Sequence, residues 1–413
     1  MTSQELRGHL AELAAVRSDD DPILSLYLDI RWNDEQQRDR VRVWLQERTK
    51  AALAGRAEPE QASLARTLEQ ARELVQQTFE RSAGEGKRGL ALFACGRIGL
   101  WKPLFFHEPL ENQFTVDRVP RLLQLARLAG ELEPALVVLA SVRGAHIYEV
   151  AANEVVGEIT VAGPMPRRVG DASFGAGAGE QFERAEKNAR HVDELLARFR
   201  RMAADELVHL FDRAPRSHVV LFGPQQALAN FERELPERVC DRIAARYPAP
   251  AEGTNGNGGA GGRAELVARA AEAVAVAQAR DEIARIDGAV GQALRGSLSV
   301  LGLEDVVLAV NERRVGRLLL EADFDADGWR CKQCGAMGVE HTRTCNFCEG
   351  PLELVPSLGD ELVRRVLADD GEVQVVAHAN KLHSYQGVAA QLRQASQTGL
   401  SGSPAQPNQP WAT

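Results

Sequence analysis

Four of the chain's six cysteines fall within one short stretch, "CKQCGAMGVEHTRTCNFC", from Cys331 to Cys348. They form two C-x-x-C pairs separated by ten residues. Two residues between thiolates allow both sulfurs to face one ion, and Gly335 directly after the first pair lets backbone N–H groups turn toward sulfur. Four cysteine ligands, Cys331, Cys334, Cys345 and Cys348, close a tetrahedral site and leave no position for water or substrate, so the expected cofactor is a structural Zn2+. The same spacing also suits a rubredoxin-like iron or a set of free thiols. His341, between the pairs, is a surface residue or a replacement ligand. Cys95 and Cys240 sit in apolar or strand-like surroundings and read as small buried side chains.

A second stretch, "GAGAGEQFERAEKNARHVDELLARFRR", joins a glycine-rich loop to a helix. Gly175, Gly177 and Gly179 alternate. The G-x-G-x-G spacing differs from the dinucleotide fingerprint, and no strand leads into it. A plain surface loop is one reading; a tip that enters RNA is another. For the second, Arg184, Lys187, His191, Arg198 and Arg201 recur along one side of the helix, opposite an apolar stripe, although interleaved acids are equally compatible with a solvated face.

These stretches need elements to hold them. The expected fold class is α/β, in a multidomain α+β arrangement of three domains. Residues 1–130 read as an N-terminal α/β domain: a helix near 4–17, the β-rich run "ILSLYLDI", two helices over 34–80, then the strands "RGLALFACG", "GLWKPLFF" and "QFTVDR". Residues 131–250 form a central domain. It opens with the meander "PALVVLASVRGAHIYEVAANEVVGEITV" and continues with the Gly-rich loop, a long helix over 181–211, the buried strand "HVVLFGP" and a helix over 224–235. Residues 251–262 are a flexible linker by composition. Residues 263–395 form a three-layer α/β domain that opens with an Ala-rich helix. In it "LEDVVLAVNERRVGRLLLEAD" reads as strand, short helix and strand, and the zinc-ribbon insert covers 329–352. Residues 396–413 read as a disordered tail.

The chain has 413 residues, 44% of them apolar and 26% charged, with a net charge of −9. Apolar cores are affordable at this length, so cysteines are not needed to rescue a chain too small to fold. The acidic balance argues against wholesale coating of nucleic acid, so any RNA contact must be local. No apolar run approaches a membrane span, and the first residues lack the apolar core of a signal peptide. The expected location is the cytoplasm, where paired cysteines point to metal rather than disulfides.

The order of parts resembles a known family. "LEDVVLAVNERRVGRLLLEAD", a four-Cys insert, then "GEVQVVAHANKLHSYQGVAAQLRQ" is similar to the third domain of archaeal and eukaryotic class-1 peptide release factors and their relative Pelota. In that family a strand of the type "VEIISTET" leads to "GGIAAILRY"; here "VQVVAHAN" and "QGVAAQLRQ" stand there, with Gln386 in place of the first Gly. Archaeal members often carry a C-x-x-C pair module at this place. The meander, Gly-rich loop, long helix and "VVLFGP" match the family's second domain in order. The resemblance implies a monomer that works in the ribosomal A site against ribosomal RNA and peptidyl-tRNA, with a translation GTPase as a further partner. The implied activity is peptidyl-tRNA hydrolysis, for termination or for rescue of stalled ribosomes. A non-catalytic A-site factor of Pelota or hibernation type is the alternative. The stop-codon reader's "NIKS" and the catalytic "GGQ" are both absent. Alignment on Phe182 puts Gly177 at the catalytic glutamine's place; a gap puts Gln181 there.

Overall fold

The computed structural model describes residues 3–18, 20–31, 35–81, 86–142, 144–151, 154–163, 178–249, 260–340, 342–377 and 381–393, without the side chains of 35–37, 79–81, 178–190, 192 and 260–261. Contacts divide the chain into two compact units, Met1–Glu131 with Glu282–Thr413, and Leu132–Asp281. Most of the expected linker (250–259), the expected tail and residues 164–177 of the Gly-rich loop lie outside the described residues.

The first unit begins with α1 (Ser3–Ala14), β1 (Ile23–Asp29), α2 (Glu35–Leu53), α3 (Glu58–Arg81), β2 (Gly89–Cys95), β3 (Leu100–Phe106), β4 (Gln113–Asp117) and α4 (Leu123–Glu131). The strands pair antiparallel in the order β3-β2-β1-β4. Alternation in "ILSLYLD" sends Leu24, Leu26 and Leu28 to one face, against Val41, Leu45, Leu64 and Leu68 of α2 and α3. Tyr27 is fully buried; it meets Phe93 edge-on at 5.7 Å and donates its hydroxyl to the carbonyl of Arg121.

The second unit holds β5 (Ala135–Ser141), β6 (Gly144–Ala151), β7 (Glu154–Ala162), α5 (Ala178–Arg213), β8 (Val219–Phe222), α6 (Gln225–Glu232), α7 (Glu237–Cys240), β9 (Ile243–Tyr247) and the first half of α8 (Ala260–Leu294). Its sheet order is β7-β6-β5-β8-β9. The expected meander is β5-β6-β7, paired antiparallel, and β8 and β9 extend it in parallel. Strand β5 is buried almost throughout, as suits a central strand covered on both faces. Leu136, Val138 and Ala140 pack with Ala203, Leu207 and Leu210 of α5, while Ala135 and Val137 pack with Leu266, Ala270 and Val274 of α8. The position expected to open the last domain, 263, thus falls inside a helix whose first half completes the central sheet. Its second half covers the next one: Ile286, Ala289 and Val290 pack on Leu319, Val376 and Ala389.

The first unit resumes with β10 (Ser299–Leu301), α9 (Leu303–Asn311), β11 (Val315–Glu321), β12 (Gly328–Cys331), β13 (Met337–Gly338), β14 (Leu352–Val355), α10 (Leu358–Ala368), β15 (Glu372–Val376), a 3-10 turn over Lys381–Tyr385 and β16 (Val388–Leu392). The sheet β10-β16-β11-β15 is mixed, with β11 and β15 parallel. One correction arises here. "LEDVVLAV" was expected to begin as a strand, yet it forms α9. Its valines favour a strand, but Leu303, Val306, Val307 and Val310 fall at helical spacing and are all buried, so packing overrides propensity. Gln386 stands where the family has a glycine. Its φ is +58°, in the left-handed region, and its Oε1 accepts the N–H of Leu303 at 2.9 Å, capping α9.

The three short strands β13-β12-β14 form a separate ribbon. Its anchor is a buried charge cluster. Glu361 of α10 is 2% exposed and meets Arg364 at 2.9 Å, Arg365 at 3.0 Å and Arg330 at 3.5 Å. Arg330 also pairs with Glu353 across the ribbon at 2.7 Å. Burial alone would raise the Glu361 carboxyl, but Arg364, Arg365 and Arg330 hold it down at about 2.

Two outcomes are expected. Gln386→Val, which puts a β-branched residue at a left-handed φ and removes the cap, destabilises by about 2 kcal/mol. Gln386→Gly stays within about 0.5 kcal/mol, because relaxed backbone offsets the lost bond; urea denaturation separates the two. The Glu361 carboxyl is lower in the fold than its ordinary 4.5. Its stabilisation is therefore complete above about pH 4.5 and is lost as pH falls from there toward about 2, a contribution of about 3 kcal/mol. Glu361→Gln removes the carboxylate that Arg364 and Arg365 pair with and one of the two that Arg330 pairs with, costs about 3–5 kcal/mol, and flattens the fall of the urea midpoint in that acid range.

Candidate metal centre and the central arm

The ribbon brings all four cysteines of the two pairs together, with ligand atoms within 4.8 Å of one another. Cys331 Sγ lies 3.4 Å from Cys348 Sγ, and Cys334 Sγ lies 3.6 Å from Cys345 Sγ. A tetrahedral ion with metal–sulfur bonds of about 2.3 Å needs sulfurs about 3.8 Å apart, so the set can hold one metal ion with little movement. None of the four is in a disulfide. His341 lies outside the described residues.

Each pair is a tight turn. Gln333 N and Cys334 N donate to Cys331 Sγ at 3.4 and 3.5 Å, and Phe347 N donates to Cys345 Sγ at 3.4 Å. Gly335 N reaches back to Cys331 O at 3.0 Å and Glu349 N to Cys345 O at 2.9 Å. Both residues have positive φ, +75° and +58°, so Glu349 fills in the second turn the role that Gly335 fills in the first. Gly350 escaped sequence reasoning. A Cβ there would lie 3.0 Å from Cys331 Sγ and 2.9 Å from the Gln333 side chain, so any larger residue crowds the ligand set.

The thiols differ in acidity. Burial opposes ionisation of Cys331, yet the N–H groups of Cys334 and Gln333 bring it down to about 7. Cys334 is pushed up to about 12, by burial first and by its neighbouring thiols. One thiolate is thus ready near neutral pH, and an entering cation displaces the remaining protons. The frame around the turns is polar. Asn311, at the end of α9, donates to Met337 O at 2.8 Å and accepts from Met337 N at 2.9 Å. Arg365 donates to the carbonyl of Gly335.

The central candidates sit on α5, in the other unit. The helix runs 36 residues, beginning three residues before the expected start and ending two after the expected end. Gly175 and Gly177 lie outside the described residues. Gly179, Gln181, Arg184 and Lys187 occupy its first turns, with side chains beyond the description, while His191 and Arg198 are exposed. Continuous helix through these positions keeps Arg184, Lys187, His191, Arg198 and Arg201 within an arc of about 100°. Among the described side chains of α5, burial in the core starts at Ala203 and continues through Ala204, Leu207, Leu210 and Phe211. Gly163, just past β7, has no room for a Cβ, which would lie 2.6 Å from the Phe199 ring. That close approach fixes where the loop leaves the sheet.

Sequence reasoning also missed a polar groove of about 900 Å³ between α3 and the β2–β3 turn, lined by Ser63, Arg66, Thr67, Gln70, Arg97 and Trp101 among others. Its helical half was legible as polar residues at helical spacing. Among the described residues, no helix is long and apolar enough to cross a membrane.

Comparison with known proteins places these features. Residues 120–276 match the model of bacterial archaeo-eukaryotic release factor family 10. That segment takes in nearly the whole central unit, with the Gly-rich loop and α5. No curated protein sequence matches the chain. Among solved structures, an archaeal translation termination factor, aRF1, shares 18% identity over 95% of this chain and 98% of its own, with a TM-score of 0.25. Archaeoglobus fulgidus Pelota shares 18% over 74% and 78%, with a TM-score of 0.29. Saccharomyces cerevisiae Dom34, described as a translation termination-like factor involved in RNA quality control pathways and interacting with Hbs1, shares 13% over 74% and 80%, with a TM-score of 0.38. Superpositions this loose carry no residue correspondence. Over its central segment, residues 120–276, the chain is thus similar to bacterial archaeo-eukaryotic release factor family 10.

Proposed function

We propose that the chain associates with the ribosome as a release-factor-like protein, with the Gly-rich segment and α5 acting in the A site. The observation that carries this reading is the arm within the family-matched segment. A single helix rises from a glycine-rich sequence, and its described core anchoring begins at Ala203. The stretch from Ala178 to Ala203 gives a reach of roughly 38 Å at 1.5 Å per residue. Glycines at the tip suit close backbone approach to RNA, and the recurring basic positions suit phosphate contact.

In the enzyme reading the arm hydrolyses peptidyl-tRNA in termination or rescue. Gln181 would position water for attack on the ester, and ribosomal RNA would supply the rest of the site. Positioning is the source of the rate here. The second reading, occupancy of the A site without hydrolysis as in rescue or hibernation, is favoured by the missing "GGQ". A translation GTPase is the proposed delivery partner, and a monomer in the cytoplasm the proposed state. The metal centre takes a structural Zn2+, held by Cys331, Cys334, Cys345 and Cys348, because a closed four-thiolate set suits zinc and leaves no site for chemistry. The proposed division into three domains, near 130 and 250–263, is open to limited proteolysis of the linker.

Elemental analysis of protein from its native host is expected to give one zinc per chain, and iron or no metal would overturn that assignment. Cys334→Ser unfolds the ribbon locally while the helical content of α5 stays. The protein co-sediments with ribosomes, and Arg184, Lys187 and Arg198 changed together to Glu weaken binding at least tenfold and alter its salt dependence. Gln181→Ala separates the two readings: lost hydrolysis of ribosome-bound peptidyl-tRNA supports the enzyme, whereas firm binding with no hydrolysis in the wild type supports occupancy. No ribosome association during growth, stress or stalling would sink both.

A further inference from the structure

The charge cluster that anchors the ribbon also reaches the N-terminal helix. Arg365 donates from Nη2 to the carbonyl of Gly335, inside the first cysteine turn, and from Nε to Glu361 at 3.0 Å. Glu361 in turn accepts from Arg364 at 2.9 and 3.1 Å. Arg364 then donates from Nη1 to the carbonyl of Ala14, the last residue of α1, at 3.2 Å. A continuous chain of charge-assisted hydrogen bonds therefore runs from a metal-ligand turn to an element more than three hundred residues away in sequence. Both its ends lie in one compact unit.

We propose that metal occupancy of the four-cysteine site and the seating of α1 on α10 are thermodynamically coupled through Arg365, Glu361 and Arg364. The inference rests on the metal reading of the cysteines. Two features of the cluster support it. First, it is rigid: Glu361, Arg330 and Arg365 are each less than a tenth exposed, so a shift at one partner is not absorbed by solvent. Second, both contacts at the ends are to backbone carbonyls, whose positions are set by the turn and by the end of α1. A turn that loosens without metal moves the Gly335 carbonyl, frees Arg365 to crowd Glu361, and competes with Arg364. Coupling of this kind is reciprocal, so a seated α1 raises metal affinity by the same factor.

Hydrogen exchange of α1 in the full-length protein, with Zn2+ bound and after chelation, reads the coupling directly. In the wild type chelation is expected to speed exchange in α1 about tenfold and to leave β5 and β8 of the central unit unchanged. Arg364→Met abolishes that response while Co2+ still gives the absorption of a four-thiolate site. Arg364→Lys, which keeps the charge and guards against simple misfolding, retains part of it. Arg365→Met lowers Zn2+ affinity about tenfold, measured against a chromogenic chelator. The proposal alone is overturned if Co2+ binds with its thiolate absorption and α1 exchanges at one rate with and without metal, or if Arg364→Met responds like the wild type. Absence of any Co2+ absorption overturns the metal reading, and the coupling with it.

Discussion

A carboxylate with almost no exposure, Glu361, is held ionised by the arginines around it. Three arginines depend on it, and each serves a different part of the fold: Arg330 belongs to the ribbon, Arg365 holds a cysteine turn, and Arg364 holds the end of α1. A buried carboxylate without such partners would be protonated, and the arginines would lose the acid they share. Beside it, Asp360 accepts from the N–H of Leu123 at 2.8 Å and pairs with Arg121, whose own carbonyl receives the Tyr27 hydroxyl. Two consecutive acids on α10 thus join the beginning of the chain to its last third. These polar contacts lie beside buried leucines, Leu6, Leu10 and Leu13 of α1 and Leu358 and Leu362 of α10, and their geometry fixes one register.

The metal centre and the central arm divide the work. Four thiolates close a coordination shell, so a metal there shapes the ribbon and offers no open position for a reaction. The proposed function rests instead on the family-matched central segment. There the sheet is buried on both faces, and α5 is tied to it along Ala203, Leu207 and Leu210. A helix held rigidly at one end transmits position to the other end.

Some of this was legible in residue order. The C-x-x-C spacing gave the four candidate ligands that the ribbon brings together, because two intervening residues favour one tight turn. The period of α5 and the buried runs of β5 and β8 gave their elements, because burial on both faces leaves few polar positions. The valine-rich start of α9 misled, since β-branched residues favour strands in isolation while the buried face of α9 demands a helix. Gln386 read as a departure from the resembled family; in the fold it takes a left-handed φ and caps α9.

What the sequence determined by itself was therefore local: a set of four cysteines able to hold a metal, the main helices and strands, and an order of parts that resembles a release factor. Each follows from spacing along a few turns of chain, where geometry leaves little choice. Tertiary structure alone decided which distant residues meet. Nothing in the neighbourhood of Glu361 announces that it will collect Arg330 from the ribbon and pass contact through Arg364 to Ala14. Nor does the composition of α8 say that one half covers the central sheet and the other half the sheet beside the ribbon. Such pairings are set by the packing of whole faces, and a face exists only once the chain has folded.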